Sequence, residues 1–168
     1  MATTDAWIGT KALHAYVAAA EPNGGRAGMG VVFVDAHGRA LRKIGRGLPG
    51  ASTGDLAAFK GIVYALWNSR RLGSRRVIVH CDHPGVVAQI NGDREVGPEL
   101  VGPYLEVRAL LHAYRAARVE PTREGDDATI WEREARALAE AGLERDVDES
   151  IEDLPLWSAQ RMEERSTA

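Results

Sequence analysis

The hydrophobic pattern changes its period once, near residue 50, and that change limits the folds open to the chain. Before it, apolar residues come in three short blocks, at 12–20 (ALHAYVAAA), 28–35 (GMGVVFVD) and 39–47 (RALRKIGRG). Pro22 with Asn23-Gly24-Gly25 separates the first two, and Ala36-His37-Gly38 the next two. Both breaks are turn signals, so the blocks read as an antiparallel meander of three strands. After LPGAST the spacing becomes helical: Leu56, Phe59, Val63, Leu66 and Trp67 recur at the helix period. Ser52 or Thr53 is placed to cap that helix, and Asp55 suits its first turn. Its flank of Ala57, Ala58, Gly61 and Ala65 is small enough to lie close against a sheet.

Arg75-Arg76 lead into VIVHCD, a run too short for a helix and rich in β-branched residues, hence a buried strand. HPGVVAQING reads as a short helix with Pro84 in its first turn and Asn91-Gly92 at its end. A longer helix is expected from Pro98 to Arg115, striped by Leu100, Tyr104, Val107, Leu111 and Tyr114. Val101, Leu105 and Leu110 lie outside the stripe and suit either the core or a second subunit, so a homodimer stays open. ARVEPT reads as the last strand and Thr129 to Leu143 as a helix. Hairpins first and crossovers later predict an α/β domain, a five-stranded mixed sheet with helices on both faces. The expected limits are an extension at 1–11, the domain at 12–143 and an acidic tail at 144–168 with a short helix around Trp157 to Glu164. Trp67 and Trp131 read as packing residues, and Trp157 as an anchor for the tail.

With 168 residues, 45% hydrophobic and 27% charged, long disordered or fibrous architectures are excluded and one domain is expected. The lone Cys81 has no internal disulfide partner, which fits a reducing cytosol. Apolar runs such as Val31 to Val34 fall far short of the roughly 20 residues a membrane span needs. Asp5 and Lys11 do not suit a secretory signal, so a cytoplasmic location is expected. The net charge of -3 hides an asymmetry: residues 1–122 hold 15 Lys+Arg against 10 Asp+Glu, and residues 123–168 hold 6 against 14. A basic body with an acidic end suits a polyanion-binding surface that carries its own competitor.

Four stretches, in order, resemble the type 1 ribonuclease H family. YVAAAEPNGGRAGMG keeps Asn23, Gly25, Ala27, Gly28 and Gly30 of the family's glycine-rich turn after the first strand, and Thr53 keeps the start of its Thr-Asn-Asn-x-x-Glu helix opening. HCDHPGVVAQING is similar to the family's Asp-Ser-x-x-Val, short helix and Asn-Gly, and EREARALAEAG to its closing helix. The resemblance implies a ribonuclease H-like fold and hydrolysis of RNA in RNA/DNA hybrids by two divalent ions held on carboxylates. It also implies where those carboxylates belong: at Ala18, Ala58, Asp82 and Arg136, of which only Asp82 is one. Arginine cannot ligate a cation. The expectation is therefore a protein that has lost two-metal activity, binds no metal or other cofactor, and keeps a nucleic-acid or assembly role, with Arg136 paired to Asp82. The alternative is an active Mg²⁺- or Mn²⁺-dependent ribonuclease with carboxylates relocated to Glu21, Asp55 and Asp126 beside Asp82. A third reading is an oligomeric structural module without nucleic acid.

Arg70, Arg71, Arg75 and Arg76 put four guanidiniums in seven residues, which suits phosphate contact or a solvated helix end. His80-Cys81-Asp82-His83 has metal-ligand side chains, but strand alternation brings at most His80 and Asp82 together, too few for a zinc site. Cys81 reads as a small core residue.

Overall fold

The computed structural model describes residues 12–150. The expected extension at 1–11, the helix around Trp157 to Glu164 and the Trp157 anchor lie outside these residues. Three strands come first: β1 (Leu13–Asn23), β2 (Arg26–Val34) and β3 (Ala40–Pro49). They form the meander, antiparallel throughout, with Ala18 opposite Gly30 and Gly30 opposite Gly45. Helix α1 (Gly54–Arg71) follows, capped by the Thr53 hydroxyl, which accepts from the Leu56 N–H. Then come β4 (Arg76–Cys81), α2 (Pro84–Ile90), α3 (Val101–His112) after a 3₁₀ turn at Pro98–Leu100, β5 (Ala116–Pro121) and α4 (Ile130–Gly142). Strands β4 and β5 join in parallel, giving the mixed sheet the hairpin-then-crossover order predicts.

A sixth strand, β6 (Val147–Ser150), corrects the expected five. The order is β5-β4-β1-β2-β3-β6. Its charge pattern reads as a solvated tail, but it finds the free edge of β3, where Arg42 donates to both carboxylate oxygens of Asp148, at 3.1 and 2.8 Å. Arg26 likewise pairs with Asp146 at 2.8 Å.

Helices cover both faces. On one, Phe59, Ile62, Ala65 and Leu66 of α1 bury against Val17, Val31, Val77 and Val79, with Val107 and Leu110 of α3 in the same core. Leu110 thus belongs to the interior, whereas Val101 and Leu105 are exposed. Trp67 corrects its reading as a packing residue: 52% exposed, it sits just outside the arc of α1 that faces the sheet. On the other face α4 lies unusually low. A Cβ at Gly30 would stand 2.0 Å from the Ala135 carbonyl oxygen, and one at Gly28 2.0 Å from that of Ala139. Only glycine permits that approach. Ala135 and Ala139 supply the small side chains on the helix side. No helix among the described residues is long and apolar enough to cross a membrane.

Candidate functional site

The parallel register of β1 and β4 sets Val17, midway along β1, beside Cys81, the last residue of β4. Asp82 is the first residue past that end. Its N–H donates to the Val17 carbonyl at 3.2 Å, and its Oδ1 accepts from the Ala19 N–H at 3.1 Å. Nδ1 of His83 lies 2.8 Å from the same oxygen. That hydrogen bond is the main reason the His83 imidazole binds its proton more tightly than usual; burial opposes it, and the charges of Asp82, Asp55 and Glu21 add to it.

Arg136 reaches the site from α4, its guanidinium 4.0 Å from Asp82 Oδ2 and its side chain 60% exposed. It is a neighbouring countercharge, and the close partner of Asp82 is His83. Ala18, on β1 beneath α4, and Ala58, on the buried face of α1, are both fully buried, and neither offers a donor atom. Of the four positions that the resemblance marks for carboxylates, only Asp82 offers the oxygen ligands a hard divalent ion needs, and a guanidinium stands beside it.

Two open clefts meet at Asp82. The first, of about 410 Å³, is bounded by Thr122, Arg123, Glu132, Arg133 and Arg136. The second, of about 330 Å³, is bounded by Glu21, His83, Glu124, Arg136 and Glu140. Of the acids read as relocated ligands, Glu21 thus shares a cleft with Asp82, although its Oε2 already accepts from the Gly54 N–H at 3.1 Å. Asp55 and Asp126 line neither cleft. Arg70, Arg71, Arg75 and Arg76 fall elsewhere. Arg76 opens β4 and Asp82 follows its end, so the strand separates them by roughly 20 Å at about 3.3 Å per residue.

Sequence reasoning missed Glu132 and Glu140, although with Arg136 they recur every four residues along one face of α4. Glu132 is buried and forms a capping box with Thr129. It also missed His83. The alternation rule fails at Cys81-Asp82-His83 because the chain bends at Asp82 after β4 ends, and one ligand atom from each of the three lies within 4.8 Å of the others. Further along the sheet, Nδ1 of His14 meets Nε2 of His80 at 2.9 Å, and Tyr16 stacks on His80 at 4.5 Å. Burial, then the charges of His14, Arg123 and Arg118, pushes His80 down to about 3.

A family model described as reverse transcriptase-like matches residues 16–124. No curated protein matches the sequence. Among solved structures, RNase H1 of the halophilic archaeon Halobacterium salinarum superposes with a TM-score of 0.68 at 22% identity, over 78% of this chain and 96% of that one. The N-terminal RNase H domain of a Mycobacterium tuberculosis protein gives 0.63 at 25% identity, over 78% and 96%. LC11-RNase H1, from compost, solved in complex with an RNA/DNA hybrid, gives 0.63 at 18% identity, over 78% and 99%.

Proposed function

The chain belongs to the reverse transcriptase-like family and has the ribonuclease H fold, and on that footing we propose that it binds nucleic acid, most directly an RNA/DNA hybrid, without two-metal hydrolysis. The observation that carries the reading is Arg136 standing 4.0 Å from Asp82, with Ala18 and Ala58 at the other positions where the resemblance expects carboxylates. Two metal ions in such a site clamp the attacking and departing oxygens of a phosphodiester. In the absence of those ions, guanidiniums supply the positive charge of the cleft. Arg123, Arg133 and Arg136 project from the loop after β5 and from α4 into one opening, where planar forks suit phosphate oxygens. The hybrid-bound relative supports the choice of ligand.

Binding of a labelled hybrid in the presence of EDTA tests this. Retained binding that weakens with salt is the expected result, and Arg136→Ala should reduce the slope of log K against log salt by about 0.9, one phosphate contact on a duplex. Binding that needs Mg²⁺, or a slope unchanged by Arg136→Ala, contradicts it. One observation favours a second reading, metal-dependent cleavage by a rearranged acid set: Glu21, Asp82, Glu124 and Glu140 line the same cleft.

A further inference from the structure

We propose that Cys81, Asp82 and His83 together bind one borderline divalent cation of the zinc and cobalt class, in place of the pair of hard ions the fold otherwise holds. The bend after β4 turns three consecutive side chains toward one another, with a sulfur, an oxygen and a nitrogen within 4.8 Å. In a tetrahedral site with metal–nitrogen and metal–oxygen bonds near 2.0 to 2.1 Å and a metal–sulfur bond near 2.3 Å, such atoms stand about 3.3 to 3.6 Å apart. Closure therefore asks for shifts of roughly an ångström.

The donor types select the ion. A thiolate and an imidazole beside one carboxylate suit zinc or cobalt, whereas magnesium prefers oxygen alone. His83 is the N-cap residue of α2 but makes no capping hydrogen bond there; its Nδ1 lies 2.8 Å from Asp82 Oδ1, a contact that shared ligation of the ion would replace. Burial pushes the Cys81 thiol up to about 12, so its proton leaves to solvent only as the sulfur–metal bond forms. Asp82 and His83 line the open cleft beside Glu21, so the ion and a water in its fourth position would enter from there, while Cys81 is fully buried and lines neither cleft. The ion would tie the end of β4 to the start of α2. The inference rests on the reading above only in requiring that two hard ions are not bound here, and it involves no nucleic acid.

Cys81 is the sole cysteine of the chain, so a thiolate-to-cobalt charge-transfer band has one source. Metal-free, full-length protein titrated with Co²⁺ should develop that near-ultraviolet band, saturating at one ion per chain and undisturbed by a large excess of Mg²⁺. Cys81→Ser should abolish the band, and His83→Gln should weaken Co²⁺ binding at least about tenfold, the least that loss of even an outer partner costs. If Cys81→Ser fails to fold, as far-ultraviolet circular dichroism would show, His83→Gln and Asp82→Asn carry the test. Folded wild-type protein without the band, or a band of unchanged affinity in both His83→Gln and Asp82→Asn, overturns the proposal. Failure to bind a hybrid would remove the nucleic-acid reading and leave this band untouched.

Discussion

At Asp82 a carboxylate that is only 10% exposed is balanced by neighbours in its own chain, His83 at 2.8 Å and Arg136 at 4.0 Å. The hydrogen bond to Asp82 raises the His83 pKa above its ordinary 6.5, so the folded protein holds that proton where the unfolded chain has begun to release it. The resulting stability is fully present below pH 6.5 and fades as pH rises through the raised value. His80 acts with the opposite sign. Burial lowers it to about 3, so stability falls as pH drops from 6.5 toward that value. NMR titration should find the His83 ring protons moving above pH 6.5 and those of His80 silent to well below pH 5. Urea midpoints across pH should show a shallower acid-side slope in His80→Gln and a weaker alkaline-side fade in His83→Gln. A His83 that titrates below 6.5 would break the pairing with Asp82.

Among the elements, α4 decides the geometry of the site because it delivers Glu132 to one cleft, Glu140 to the other and Arg136 to both. Its depth depends on glycines beneath it. Gly30→Ala should lower stability by about 1–3 kcal/mol in urea unfolding, the usual cost of forcing a methyl into a packed contact, and lift Arg136 away from Asp82. A neutral result would mean that the helix is held from elsewhere. Much of this level is legible in the sequence. The change of period marks the meander and α1, Thr53 and Thr129 mark two helix starts, and Asp82 is the one acid at the positions the resemblance marks. What escapes has physical reasons. A four-residue edge strand, β6, has too few side chains to show a period, and Trp67 fits the helical spacing while lying just beyond the buried arc. The contacts at the site come from a bend and from a helix more than fifty residues away in sequence, neither of which local spacing encodes.

For the whole molecule, the charge asymmetry takes a definite form: part of the acidic end folds back as β6 and engages Arg26 and Arg42 of the basic body. Exposed pairs of this kind contribute only about 0–1 kcal/mol each, so a polyanion can compete for them. Asp148→Asn should leave stability within about 1 kcal/mol. By freeing Arg42 it should steepen the salt dependence of hybrid binding by up to about 0.9 in the log–log slope. An unchanged slope would make β6 a structural edge and nothing more. The central claim, that this fold engages a hybrid without cutting it, is tested most directly by incubating labelled RNA/DNA hybrid with the protein in Mg²⁺ and then Mn²⁺. The account predicts bound, intact RNA in both, for wild type and for Asp82→Asn alike. RNA cleaved by the wild type and spared by Asp82→Asn would contradict it.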